Sequence, residues 1–165
     1  MAIRVLIADS SGMTRDIIRN HLECGGCQVI AETETVAQTI DLFRTIRPDV
    51  VTLDIWLRGA EGNDALSLFR TIRRESPQTS IVIVSASLSP DDQRVYLREG
   101  ALECIVEPFD SVALAHMWRH LADLYPELKS RDEAHPGADS AARRQLDFSS
   151  EPSGVQLRRA ARARN

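Results

Sequence analysis

Hydrophobic residues between the N-terminus and residue 125 follow two alternating patterns. Short continuous apolar runs, such as residues 50–53, are typical of strands buried on both faces of a parallel sheet. Between these runs, apolar residues recur at helical spacing, as at Ile17, Ile18 and Leu22. The patterns predict strands at about 3–8, 28–32, 49–54, 80–86 and 103–107, and helices at about 11–24, 35–46, 63–75, 90–99 and 110–123.

Five consecutive strand–helix units predict one fold class. We expect an α/β domain with a five-stranded parallel sheet, doubly wound by helices through right-handed crossovers. Ser89 is expected to cap the fourth helix, with Pro90 at its first position, and Asp110 to cap the fifth. The pattern stops after Tyr125, so residues 1–125 are predicted to form the domain. Residues 126–165 are predicted to be a disordered linker and basic tail.

Charge separates the same two parts of the 165-residue chain. Residues 1–125 hold 12 Arg and no Lys against 18 Asp and Glu, whereas residues 126–165 hold 8 Lys and Arg against 6 Asp and Glu. An acidic domain argues against nucleic acid as its main ligand. The tail is interpreted as a solvated basic end, with folding on an acidic partner or membrane surface as the alternative. No apolar run is long enough for a transmembrane segment and no secretory signal pattern is present, so we expect a cytoplasmic location.

Three of the predicted strands end in carboxylates. Asp9 follows the first strand, Asp54 the third and Glu107 the fifth. The carboxyl ends of parallel strands meet at one edge of the sheet, where ligand sites form. Acids placed together there repel one another, so without a bound cation at least one should have a raised pKa. The arrangement predicts a cation site with a nucleophilic carboxylate.

Four motifs in the sequence resemble those of response-regulator receiver domains. They are the segments around Asp9 (residues 4–15), Asp54 (residues 48–55) and Ser85 (residues 83–86), and Glu107-Pro108-Phe109. The resemblance covers about residues 3–124 and implies the flavodoxin-like receiver fold, with strand order 2-1-3-4-5. It implies a single-domain, chemotaxis-regulator-like protein of a two-component system rather than an enzyme. Such a phosphoprotein would accept a phosphoryl group on Asp54 from a histidine kinase or phosphotransfer protein, and would signal by protein–protein contact.

The resemblance also implies roles for individual positions. Asp9, Asp54 and the backbone carbonyl of Trp56 would hold Mg²⁺, and Ser85 would hydrogen-bond a phosphoryl oxygen. An unidentified output protein would bind the face formed by the fourth and fifth helices. These roles follow from the family's motifs, position by position.

The chain departs from the family's pattern at four positions, so it would be an atypical receiver. Ser10 replaces the second acid of the metal site, which predicts weakened Mg²⁺ binding. Glu107 replaces the family's lysine, and could become a further metal ligand or turn into solvent. Cys104 replaces an aromatic switch residue and is too small for that role. Arg58 replaces a usual proline and is interpreted as an exposed loop arginine, with supply of positive charge to the site as the alternative.

Three functional hypotheses remain open. The first is a phosphorylatable response regulator, favoured by Asp9, Asp54 and Ser85. The second is a degenerate receiver that acts as a phosphorylation-independent interaction module, favoured by the changes at residues 10, 104 and 107. The third is a phosphatase-like hydrolase. It is the least favoured, because such enzymes carry a second acid two residues after the nucleophile, where this chain has Trp56.

Overall fold

The computed structural model describes residues 2–59, 64–108 and 111–126. Strands and helices alternate along them in the order β1 Arg4–Ala8, α1 Gly12–Cys24, β2 Gln28–Thr33, α2 Val36–Ile46, β3 Val50–Leu53, α3 Asp64–Glu75, β4 Ser80–Ser85, α4 Pro90–Arg98, β5 Glu103–Val106 and α5 Ser111–Leu124. The strands form one parallel sheet in the order β2-β1-β3-β4-β5. The predicted α/β fold is confirmed, and each predicted element ends within one residue of its observed boundary.

The sheet separates two hydrophobic cores. Alternate residues of a strand face opposite sides, so Val5 and Ile7 of β1 contribute to one core and Leu6 to the other. The first core is covered by α1 and α5, through side chains such as Ile18, Leu22, Met117 and Leu121. The second is covered by α2, α3 and α4, through side chains that include Phe43, Leu68, Phe69, Ile72 and Tyr96. Burial on both faces explains why the strands are continuous apolar runs rather than alternating ones.

Helix caps lie at the carboxyl edge of the sheet, where the helices begin. The Ser11 side chain accepts a hydrogen bond from the Thr14 amide at the start of α1, and Thr35 caps α2 in the same manner. At α4, Ser89 and Asp92 form a reciprocal capping box and Pro90 occupies the first turn, as the sequence predicts. The predicted cap Asp110, and the predicted linker and tail beyond residue 126, lie outside the described residues.

At the opposite edge of the sheet, the residue after α5 is hydrogen-bonded to the starts of β3 and β4. The Tyr125 hydroxyl donates to the Asp49 carbonyl at 3.0 Å and lies 3.2 Å from the Ser80 hydroxyl. The described chain therefore ends at the edge remote from the strand-tip acids. In the described part of the chain, no helix combines the length and hydrophobicity that a membrane crossing requires.

Candidate functional site

Strand register brings the predicted acids together. Ala8 of β1 pairs with Leu53 of β3, so Asp9 and Asp54 follow at the same level on adjacent strands. The Asp54 amide donates to the Ala8 carbonyl at 2.8 Å, which fixes that level. On the other side of β3, the Glu107 amide donates to the Ser85 carbonyl at 3.0 Å. The carboxyl edge of the sheet thus carries the strand-tip acids, as the sequence predicts.

Asp54 is a buried carboxylate with several hydrogen-bond donors around it. It is 7% exposed, and its Oδ1 accepts a hydrogen bond from the Trp56 amide at 3.0 Å. Burial raises the pKa of Asp54, and the Trp56 amide and the Ser85 and Ser10 hydroxyls lower it only in part. The Ser85 hydroxyl is fully buried, and among the described residues it has no hydrogen-bond partner at good geometry. The hydroxyl is close enough to Asp54 to influence its pKa, yet it makes no hydrogen bond of standard geometry there.

Asp9 is more buried than Asp54, and only one of its two carboxylate oxygens accepts a hydrogen bond within the described residues. It is 2% exposed, and its Oδ1 accepts a hydrogen bond from the Ser11 amide at 2.7 Å. Its Oδ2 is buried and has no hydrogen-bond partner within the described ranges. Burial raises the pKa of Asp9 to about 6, and the negative charges of Asp54 and Glu107 add to the increase. An orphaned buried carboxylate oxygen is a position at which a cation would restore a lost partner.

Glu107 faces the site and is held by a residue of α1. Its Oε2 accepts a hydrogen bond from the Thr14 hydroxyl at 3.4 Å, and the side chain is half-buried. Burial, followed by repulsion from Asp54, raises the pKa of Glu107. A raised pKa among the grouped acids is therefore confirmed, although burial outweighs the repulsion that motivated the prediction.

The acids do not form a complete metal site by themselves. Within the described ranges, no three His, Cys, Asp or Glu side chains are grouped so that they could hold a metal ion. A cation between Asp9 and Asp54 would therefore need oxygen ligands from the backbone or from water, which Mg²⁺ accepts. The role of Glu107 as a further ligand stays a prediction.

Two residues of α1 that sequence reasoning missed also reach this edge. Thr14 holds Glu107, and Arg15 donates from Nη1 to the Asp9 carbonyl at 2.8 Å. Arg15 also binds Glu32 at 3.2 Å and Glu34 at 2.7 Å. Their positions in the first turns of a helix that starts beside Asp9 were the available signal, because helix starts and strand ends share one edge in this fold.

Three further residues singled out in the sequence lie in the loop after β3 and in β5. Trp56 is exposed in the loop after β3. Arg58, in the same loop, is exposed as predicted, and its guanidinium lies 3.5 Å from the Glu34 carboxylate. Cys104 lies within β5, half-buried against the second core, and burial raises the pKa of its thiol to about 11. A thiol with that pKa is neutral at physiological pH and is a packing group rather than a nucleophile.

Comparison with known proteins supports a family assignment. A family model described as "Response regulator receiver domain" matches residues 5–119. The chemotaxis protein CheY of Bacillus subtilis is 32% identical over 111 residues, which cover 67% of this chain and 90% of that protein. Among solved structures, the CheX–CheY–BeF3–Mg complex from Borrelia burgdorferi gives a TM-score of 0.64 at 21% identity, covering 74% of this chain and 89% of that one.

A larger relative shows which part of such proteins this chain resembles. A protein-glutamate methylesterase/protein-glutamine glutaminase of Halobacterium salinarum is 28% identical over 135 residues, which are 81% of this chain but 38% of that protein. The match thus spans well under half of the enzyme's length and carries no argument for esterase or glutaminase activity here. The receiver-family match, the strand order and the strand-tip acids agree, and the chain belongs to the receiver-domain family of two-component response regulators.

Proposed function

We propose that this protein is a response regulator that accepts a phosphoryl group on Asp54 from a phosphohistidine of a histidine kinase or phosphotransfer protein. The observation that carries the proposal is the placement of Asp54 at the carboxyl edge of β3, level with Asp9 and close to the Ser10 and Ser85 hydroxyls. A carboxylate nucleophile with hydrogen-bond donors around it is what phosphoryl transfer to an acid requires.

The transfer exchanges one bond to phosphorus for another. An Asp54 carboxylate oxygen forms the new P–O bond as the P–N bond of the phosphohistidine breaks, and the bonding electron pair leaves with the imidazole. The phosphoryl oxygens then need donors and positive charge. The Ser85 hydroxyl is buried beside Asp54 and has no hydrogen-bond partner within the described residues, so it is suited to donate to one of these oxygens.

Magnesium is the proposed cofactor, and the donor set fits it in part. Asp9, Asp54 and the backbone carbonyl of Trp56 would hold the ion, with Glu107 as a candidate further ligand. The unpartnered Asp9 Oδ2 supports this proposal, and the similar complex from Borrelia burgdorferi contains Mg. The ion would supply positive charge to the phosphoryl oxygens. Because Ser10 stands where the family has a second acid, we propose that this site binds Mg²⁺ weakly.

The proposed output is protein–protein contact through the face formed by α4, β5 and α5. Val95 and Leu97 of α4 and Val106 of β5 are exposed apolar residues in these elements. The related Borrelia burgdorferi CheY forms a complex with a protein partner, CheX. Exposed apolar side chains on a small protein are candidates for such contact.

Phosphorylation is tested by intact-mass measurement after incubation with acetyl phosphate, in the presence and absence of Mg²⁺. We expect the wild type to gain one phosphoryl group in the presence of Mg²⁺ and Asp54→Asn to gain none, because an amide replaces the nucleophilic carboxylate. Asp41→Asn, which alters an exposed acid of α2, is the matched control and should be labelled normally. Equal labelling of Asp54→Asn and wild type would refute Asp54 as the acceptor.

The second candidate function is a degenerate receiver that binds partners without phosphorylation. Glu107 favours it, because a carboxylate stands near Asp54 where the family has a cation. Under this hypothesis the wild type gains no phosphoryl group from acetyl phosphate or from any kinase, while the folded domain still binds its partner. The same mass measurement therefore separates the two functions.

A further inference from the structure

A phosphoryl group on Asp54 would need positive charge, and the family's usual source is absent. Glu107 occupies the lysine position, and residues 1–125 contain no lysine at all. Asp9 and Glu107 add negative charge beside Asp54. Among the described residues, a permanent side-chain cation at this site must therefore be an arginine.

Topology restricts which arginine can serve. Helices start at the carboxyl edge of the sheet and run away from it, so arginines in the second half of a helix lie far from the strand tips. The described arginines near this edge are Arg15 in α1, Arg58 in the loop after β3 and Arg94 in α4. Arg94 is paired with Asp91 within its own helix.

Arg15 is already fully engaged. Its side chain is 15% exposed, and its three guanidinium nitrogens bind Glu32, Glu34 and the Asp9 carbonyl. Moving it to the phosphoryl group would leave two carboxylates and a backbone carbonyl without this partner. Arg15 is therefore a residue that holds the β1–α1 connection in place.

The backbone of Arg58 is held by hydrogen bonds, whereas its side chain is exposed and only weakly held. Its amide donates to the Glu34 carbonyl at 3.1 Å, and its carbonyl accepts from the Val36 amide at 3.2 Å. Its guanidinium, however, makes only one described ion pair, a 3.5 Å contact with the Glu34 Oε2, and the side chain is 69% exposed. An exposed ion pair of this length contributes little to stability, so the guanidinium can leave it at small cost.

We propose that Arg58 is the phosphoryl counter-ion of this protein and that Glu34 is its resting partner. The inference rests on the proposed phosphorylation of Asp54. A phosphoryl group carries more negative charge than a carboxylate and accepts paired hydrogen bonds from a guanidinium, so it competes successfully with Glu34. Glu34 keeps a partner after the exchange, because Arg15 remains bound to its other oxygen at 2.7 Å.

The test measures the affinity for beryllofluoride, a phosphoryl mimic, by Trp56 fluorescence in saturating Mg²⁺. Arg58→Gln should bind the mimic about tenfold more weakly, because a charge-assisted hydrogen bond is lost. Arg58→Lys, which keeps the positive charge, should recover most of that loss. Arg94→Gln is the matched control, because Arg94 is 68% exposed and also ion-paired, and its affinity should equal that of the wild type.

The outcomes separate this inference from the function on which it rests. If the wild type binds the mimic and Arg58→Gln binds it equally well, the role of Arg58 is overturned while phosphorylation of Asp54 stands. A lysine variant no better than the glutamine variant would also overturn it, because the effect would not depend on charge. A wild type that neither binds the mimic nor is labelled would overturn the proposed function together with the inference.

Discussion

Burial dominates the electrostatics of the individual acids at the strand tips. The pKa values of Asp9, Asp54 and Glu107 are all raised, and desolvation is the largest cause for each. A buried carboxylate with one unpartnered oxygen opposes folding when it is ionised, because the charge has lost its water. The site is thus stabilised by whatever neutralises it, whether a proton, a cation or a substitution.

Asp9 provides a pH-dependent test of this conclusion. Its pKa rises from 3.8 to about 6 on folding, so the destabilisation is absent below pH 3.8, grows from there to about pH 6 and is complete above pH 6. A shift of one unit corresponds to about 1.4 kcal/mol. In chelator-containing buffer at pH 7.5, Asp9→Asn should therefore have a free energy of unfolding about 1–3 kcal/mol above that of the wild type. Urea denaturation between pH 4 and pH 7.5 measures the difference.

The decisive part of this measurement is how the extra unfolding free energy of Asp9→Asn varies with pH. Near pH 4 the two proteins should unfold at similar urea concentrations, because the wild-type Asp9 is then protonated when folded. The pKa of His21 is lowered by burial, but His21 is present in both proteins and its effect cancels to first order. A gain of equal size at all pH values would show that Asp9→Asn acts through packing rather than through charge.

Site residues were predictable where strand ends dictated their position. Asp9, Asp54 and Glu107 could be placed at one edge because parallel strands bring their carboxyl ends together. The start of α1 beside Asp9 could have placed Thr14 and Arg15 at this edge, but their partners Glu107 and the Asp9 carbonyl depend on how α1 packs against the sheet. The proposed roles in metal and phosphoryl binding come from family resemblance and remain predictions.

At the scale of elements, the sequence patterns were sufficient for the fold but not for contacts between helices. Continuous apolar runs and well-spaced helical faces left little ambiguity, and the capping box at Ser89 marked the start of α4. The packing of Trp118 of α5 against Gly25, directly after α1, left no such signal. A Cβ added at Gly25 would overlap the Trp118 ring.

Gly25→Ala tests how firmly α1 and α5 are packed at this point. Gly25 has an ordinary φ of −81°, so alanine costs nothing in backbone strain and the overlap with the Trp118 ring is the main effect. The variant should lose about 1–3 kcal/mol of unfolding free energy, the usual cost of overpacking. Urea denaturation followed by circular dichroism measures the loss.

Gly12→Ala is the control for this substitution. An added Cβ there meets only Arg15 Nη2, at an ordinary 3.6 Å, and the position is the first residue of α1. Alanine at such a site should be neutral or stabilise the protein by up to about 1 kcal/mol. If both glycine variants had wild-type stability, the Trp118 ring would have to move aside without cost, and the contact would not hold the helices together.

At the scale of the whole molecule, the question is how the proposed phosphorylation of Asp54 would reach the proposed output face. A modification shifts conformation only through interactions that differ between the two states. On the side containing β4, β5 and α4, the family resemblance implies that two interactions are missing, because Glu107 would stand in place of a lysine and Cys104 in place of an aromatic switch residue. The opposite side retains an ion-paired connection from Arg58 through Glu34 to Arg15.

Glu107→Lys should redirect the response toward the β4–β5 side. In the wild type, Glu107 would repel a phosphoryl mimic on Asp54, by on the order of 1 kcal/mol for unit charges about 4 Å apart in water. A lysine at position 107 would attract the mimic, and this attraction would exist only when the mimic is bound. On addition of beryllofluoride and Mg²⁺, amide chemical-shift changes across residues 85–108 should therefore be larger in Glu107→Lys than in the wild type.

Glu107→Gln removes the repulsion without adding a cation. Its amide chemical-shift changes across residues 85–108 should therefore lie between those of the wild type and Glu107→Lys. If Arg58 supplies the positive charge in the natural protein, the largest wild-type changes should instead fall near Glu34, Val36 and Arg58, whose backbones are hydrogen-bonded to one another. Changes across residues 85–108 that are as large in the wild type as in Glu107→Lys would contradict this. They would mean that a carboxylate at position 107 does not weaken transmission to β5, and that the coupling runs through contacts other than the one lysine makes in the family.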